Sequence, residues 1–430
     1  MTVRTPHPQL KRELGVLGAT LMGLGSIVGT GVFVSIGIAA GIAGPAVILA
    51  IAIGALVATC NGLNSAQLAA SHPVSGGTYE YGYKYLNPWL GFTAGWMFLL
   101  AKTASAATAA LGFAGYLLNL TGWSPVWMVP TALLTVVVLT LIVLSGIRRS
   151  NTANSVIVSV TLLSLCFFIV ACLPQAAAVA GDTFTPFFTG DWGSIFHASA
   201  LMFVAYTGYG RIATLGEEAR EPRKTIPKAM IVCLILTMLL YMAVATVGIG
   251  AVGANILSNA TTQTKAAPLE VAVRSIVGSG GAFVIAVGAM TAMLGVLLNL
   301  ILGLSRVLLA MGRRRDMPRI LARLNEQGTT PYWAVIGVGV AIALLVLLGN
   351  VKTTWSFSAF NVLIYYAITN LSVLRLPPQE RLYPQWLAWL GLASCLFLAF
   401  WVESAIWQIG LGLIAAGLIW HTVRQRVWPG

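Results

Sequence analysis

The sequence predicts an all-α polytopic membrane protein of about twelve transmembrane helices, and three observations carry that expectation. The chain is 58% hydrophobic and only 9% charged, with a mean hydropathy of +0.86, so it has too few polar residues to clothe a soluble core. Apolar runs of about twenty residues, long enough to span a hydrocarbon core of ~30 Å, recur from end to end, at 16–40, 45–70, 86–118, 124–146, 153–176, 193–216, 228–253, 280–312, 332–349, 354–374, 384–401 and 404–424. The basic residues sort by loop. About 19 of the 25 Lys and Arg lie before the first run, at or after the end of the last, or in even-to-odd connections, among them Lys84, Arg148, Arg149, Arg220, Arg313 and Arg381. This is the positive-inside pattern, which places both termini in the cytoplasm of a cell (inner or plasma) membrane protein.

Taken in order, the first run carries Gly25-Ser26-Ile27-Val28-Gly29-Thr30-Gly31. A membrane helix that unwinds at mid-depth must be buried in protein or line a cavity, because lipid cannot hydrogen-bond the freed backbone. The second run is uninterrupted and leads into a Pro- and Gly-rich connection at 73–81. The third holds Lys102 several turns in. A lysine at the centre of a span costs about 2.5–3.5 kcal/mol on insertion scales and by default faces the protein interior; the alternative is a stem that snorkels to the interface. The fourth and fifth runs are plain, with Thr161 in the fifth. The sixth is interrupted at Gly208 and Gly210, five spans after the first break. Either glycine alone could serve close helix packing, but matched interruptions point to an inverted repeat. The expected organisation is a tail at 1–14, a first repeat at 15–181, a second at 182–375, and two further helices with a short tail at 376–430. The eighth run ends in Arg313-Arg314-Arg315, which anchors it.

Several functions are poorly supported. The net charge of +13 is explained by topology, so it is no evidence for nucleic acid. The five cysteines form no CxxC pair, and the four histidines form no metal-ligand pattern. No metal, cofactor or catalytic set is expected, and the chain does not read as an enzyme.

Four stretches together carry a family likeness. The first break resembles the GSIxGTGxF signature of the amino acid–polyamine–organocation transporter superfamily. Pro73-Val74-Ser75-Gly76-Gly77-Thr78-Tyr79-Glu80-Tyr81 is similar to its PxSGGxYxY loop, and Ala205-Tyr206-Thr207-Gly208-Tyr209 with Glu217 to Pro227 is similar to its sixth span and EExxxPxxxIP run. Ser305-Arg306, Gly312-Arg313 and Met317-Pro318 match after span eight. The resemblance implies a LeuT-like core of five plus five helices, two extra helices, and movement of amino acids by alternating access. It also implies a pocket lined by Ser26, Ile27, Gly29, Thr30, Gly31, Val204, Ala205, Tyr206 and Gly208, with Lys102 on a cavity-lining position.

The chemistry fits such a pocket. A zwitterion needs donors for its carboxylate and acceptors for its ammonium. The half-helix beginning near Gly29 offers free N–H groups at a positive dipole end. Carbonyls around Ala205 to Thr207 and near Ser26 and Ile27 offer acceptors. Proton-coupled members of the superfamily carry a lysine in span five; the matching position is Thr161, and Thr291 alone supplies a hydroxyl where sodium coupling would want a pair. Lys102 is therefore the expected proton-responsive group. The acid that many carriers of cations hold in span six corresponds to Gly210, and Lys102 and Arg211 would repel a cationic side chain. Small neutral or aliphatic amino acids are expected, moved by a proton-linked carrier or an exchanger, with Arg211 at the mouth and lipid as the surrounding partner. The rivals are a carrier of cationic amino acids or polyamines, and a non-transporting amino acid sensor or channel.

Overall fold

The computed structural model describes residues 14–72, 76–146, 151–213, 219–262, 266–325 and 330–427. Pro73 to Ser75 of the loop motif, and Glu217 and Glu218 of the charged run, lie outside them. The described residues are helical apart from short connections and one isolated bridge, Leu14 to Ala219. In chain order the helices are α1 (Val16–Ile27), α2 (Ile36–Ala43), α3 (Val47–Ser71), α4 (Thr78–Tyr81), α5 (Pro88–Thr121), α6 (Met128–Leu144), α7 (Asn151–Thr183), α8 (Trp192–Tyr206), α9 (Gly210–Ala213), α10 (Pro222–Val252), α11 (Ala254–Thr262), α12 (Pro268–Val277), α13 (Ser279–Arg313), α14 (Tyr332–Val346), α15 (Val351–Leu374), α16 (Gln385–Ala399) and α17 (Ser404–Val427). Among the described residues, eight helical stretches are long and apolar enough to cross a membrane, and shorter apolar helices occupy Val16–Ile27, Tyr332–Val346 and Gln385–Ala399.

Helix ends follow local chemistry. The Asn87 side chain accepts from Leu90 N (2.9 Å) with Pro88 in the first turn, and Asp191 accepts from Ser194 N at the same distance. Both satisfy amides that a helix cannot satisfy itself. Gly44, at φ 59°, followed by Pro45, separates α2 from α3 within an otherwise continuous apolar stretch. A side chain there would be strained, which is why the run turns at that glycine.

Burial decides the layers. In α5 and α15, 78% of the spanning window is buried, against 22% in the α6 and α17 stretches. α5 and α15 therefore form the centre, packed along each other, with α13 against α5. α3 runs along α8 and α10, and α7 along α10 and α13. α6 and α17 present large apolar side chains outward, such as Leu134, Leu141 and Ile419, which suits contact with lipid. A chain of buried amides ties α3, α15 and α16. Asn64 Nδ2 donates to Asn370 Oδ1 (2.8 Å), Asn370 Nδ2 to Asn61 Oδ1 (2.7 Å), and Gln67 Nε2 to Asn64 Oδ1 (3.0 Å). Such bonds between membrane helices are worth about 0.6 kcal/mol each, and here each amide satisfies the next.

Candidate functional site at the two helix interruptions

The first interruption sits where the glycine-rich motif predicts it. Val28 closes α1 by donating its N–H to Leu24 O (2.8 Å), then turns to extended backbone at φ −78°, ψ 103°. The helix resumes through a wide π turn, Gly31–Ser35, in which Val32 N and Phe33 N both donate to Gly29 O (3.1 and 3.2 Å). The amides of Gly29, Thr30 and Gly31 thus precede the first bonded turn, where a helix has donors it cannot use. The Ser35 hydroxyl donates to Gly31 O and braces the turn. Thr30 Oγ1 is buried with no partner among the described residues. The Ser26 hydroxyl donates back to Met22 O (3.1 Å).

The second interruption departs from the reading of an unwound span. Between α8 and α9, Thr207–Tyr209 form a 3-10 turn, so the chain tightens and stays helical. Gly208 permits either outcome, and its contact decides: a Cβ there would fall on the carbonyl of Ser26 and lie 2.7 Å from Ile27 N. The 3-10 turn and the end of α1 meet backbone to backbone. A Cβ on Gly31 would lie 2.6 Å from Ala205 Cβ, and one on Gly29 would lie 2.7 Å from Val296 Cγ2 on α13. The predicted pocket residues are brought together, yet packed against one another.

Most acceptor carbonyls expected to face a substrate ammonium already hold donors. Tyr241 on α10 donates its O–H to Ile27 O (2.9 Å) and lies 3.3 Å from Ala205 O, a bond shared across both interruptions. Thr207 Oγ1 donates to Val204 O (2.8 Å) and accepts from Lys102 Nζ (2.8 Å). The Tyr366 hydroxyl reaches Thr207 O at 3.5 Å. Tyr206 donates to Ile51 O (3.3 Å).

Lys102 is buried, so the snorkelling alternative does not hold. Beyond it α5 and α15 are joined by a polar seam, Ser105 to Ser358 (2.7 Å) and Thr108 to Thr354 (2.8 Å). In the connection before α17, Glu403 faces His197 (3.3 Å) and Lys352 (3.2 Å). Burial alone would raise the Glu403 carboxyl, but the bond and charge of His197 hold it down at about 2. The Thr161 hydroxyl donates to Ile157 O (2.7 Å) on its own helix. Arg211 lies exposed on α9.

At the other end of α5, Asp316 gathers three parts of the chain that sequence reasoning missed. Tyr79 and Tyr83 donate to its Oδ2 at 2.6 and 2.7 Å, His421 Nδ1 lies 3.4 Å from its Oδ1, and Trp420 Nε1 donates to its backbone oxygen (2.9 Å). Burial and the Asp316 charge push both phenols well above their ordinary range, so they remain donors. Arg314 pairs with Glu80 and lies 4.0 Å over the Tyr83 ring. The signal was in view: an acid follows Arg313-Arg314-Arg315, but attention to the basic run as an anchor hid it. Nearby chain order is reinforced where Arg220 N donates to Leu14 O (3.1 Å) and Lys224 pairs with Glu221 (2.7 Å).

Comparison with known proteins decides the family. The amino acid permease family model matches residues 18–424. The chain belongs to the amino acid permease family, within the superfamily that its motifs resemble. It is similar to an uncharacterized transporter of Mycobacterium tuberculosis, 38% identical over 419 residues, covering 97% of this chain and 92% of that one. A branched-chain amino acid permease of Bacillus subtilis is 27% identical over 446 residues, covering 97% and 92%. A vacuolar cationic amino acid transporter of Arabidopsis thaliana is 26% identical over 390 residues, covering 86% of this chain and 64% of that protein. This permease is thus a multi-pass membrane protein of an amino acid transport family.

Proposed function

We propose that this permease is a secondary carrier of small neutral or aliphatic amino acids, working by alternating access. In this reading the chain crosses the plasma membrane twelve times with both ends in the cytoplasm. α1 with α2 forms span one and α8 with α9 forms span six. Repeats at 15–181 and 182–375 face each other across the interruptions, and 376–430 is appended. The observation that carries it is the meeting of the two interruptions, where free amides at Gly29 to Gly31 stand beside carbonyls of Ile27, Val204 and Ala205. That pairing of donors and acceptors suits a carboxylate and an ammonium on adjacent atoms. Thr30 Oγ1, buried and unpartnered, supports the same site. The neutral preference rests on Lys102, since no carboxylate of the described residues bonds it to balance a substrate cation.

The test is counterflow by purified protein in liposomes loaded with unlabelled amino acid. Labelled leucine or alanine is expected to enter saturably, with arginine and aspartate entering little. Entry of arginine alone would replace this reading with the cationic carrier, and entry of none would favour a sensor.

A further inference from the structure

The acceptor groups around the interruptions are nearly all taken by the protein's own donors, and one of those donors is an ammonium. Tyr241 covers Ile27 O and Ala205 O, the Thr207 hydroxyl covers Val204 O, and Lys102 Nζ completes the set at 2.8 Å from Thr207 Oγ1. Lys102 therefore stands on the acceptor side of the site. A phenol meets Thr207 from α15, where the Tyr366 hydroxyl reaches Thr207 O at 3.5 Å. The carboxylates at the two ends of α5 and α15 are held elsewhere, Asp316 by Tyr79 and Tyr83, and Glu403 by His197 and Lys352.

Two ammonium groups cannot share one small buried set of acceptors, because like charges at close range in a weakly polar site repel by several kcal/mol. We propose that the Lys102 ammonium is the resident occupant of the substrate-ammonium subsite and leaves it as a neutral amine when an amino acid binds. The inference rests on the amino acid reading above. The step balances: the protonated lysine gives one proton to water, and the zwitterion brings one ammonium to the vacated acceptors. When the empty site reloads its proton on the far side, amino acid and proton have moved in opposite directions.

Binding to purified protein between about pH 5.5 and 8.5, where leucine stays zwitterionic and 4-methylpentanoate stays ionised, separates the outcomes. For wild type, leucine affinity is expected to rise about tenfold per pH unit across the Lys102 titration, with about one proton released per leucine bound, as reciprocal linkage requires. The deaminated 4-methylpentanoate, which leaves Lys102 charged, is expected to bind without that rise. Lys102→Met is expected to bind leucine tightly at all these pH values and to release no proton. Lys102→Arg, whose charge is permanent, is expected to bind leucine at least about a hundredfold more weakly while retaining the carboxylate. Leucine binding that is independent of pH in wild type, or unchanged in slope in Lys102→Met, overturns the proposal. So does a parallel weakening of leucine and 4-methylpentanoate with rising pH, which would make Lys102 a carboxylate ligand. Failure of the amino acid reading looks different: neither leucine nor alanine then binds wild type or variant at any pH, and the proposal falls with it.

Discussion

Gly208→Val is expected to cut leucine counterflow by more than about tenfold while the protein still elutes as a folded species. The added Cβ falls on the carbonyl of Ser26 and beside Ile27 N, which are backbone atoms with no rotamer to escape into. Overpacking of a fitted interior costs about 1–3 kcal/mol. Here relief requires the 3-10 turn that follows α8 to move off the end of α1, which would pull Ala205 O from Ile27 O and break the bond Tyr241 shares between them. Gly29→Ala makes the comparison, because its new methyl meets Val296 Cγ2, the end of a side chain that can turn. It should lower the thermal midpoint less than Gly208→Val does. Equal transport by Gly208→Val and wild type would mean that the contact between the interruptions is incidental.

Asp316→Ala is expected to lower the thermal midpoint of the purified protein by several degrees. One buried carboxylate accepts from Tyr79 and Tyr83 and faces His421. Each phenol left without an acceptor costs about 1–3 kcal/mol. The connection after α3, the end of α13 and the last turns of α17 lose their common partner together, so the loss should exceed that of Tyr83→Phe, which removes one donor and leaves the carboxylate to Tyr79. A thermal melt followed by size-exclusion recovery measures both. An unchanged midpoint in Asp316→Ala would show that water at this end replaces the carboxylate.

The helices were legible because apolar length is a local property. Among the described residues the apolar runs hold helix, eight stretches of it long and apolar enough to cross a membrane, and the first interruption falls at Val28 and Gly29 inside the motif that announces it. The second was half legible. Gly208 marks the place, but glycine allows unwinding and tightening alike, and only its packing on Ser26, far away in sequence, selects the 3-10 turn. Partners of that kind are what a single sequence hides. Thr207 meets Lys102 across 105 positions, and Tyr241 meets Ile27 across 214. The rule that a polar group inside a span has a purpose found Lys102; applied as strictly to Tyr241 and Tyr366, it would have flagged them as well. Thr161 came instead from the family resemblance, and the structure gives its hydroxyl a bond to its own helix.

The most direct test of a substrate site between the interruptions is protection of Thr30→Cys from a water-soluble maleimide. Cys166, the exposed native cysteine, is first replaced by serine, and the rate is read against the same protein with Thr30 intact, because Thr30 is itself buried and is alkylated only when the site opens. Leucine at about ten times its dissociation constant should slow alkylation of Thr30→Cys about tenfold by occupancy, with arginine giving no protection. Alkylation at an unchanged rate, in protein that still carries leucine, would place the substrate elsewhere and contradict the account.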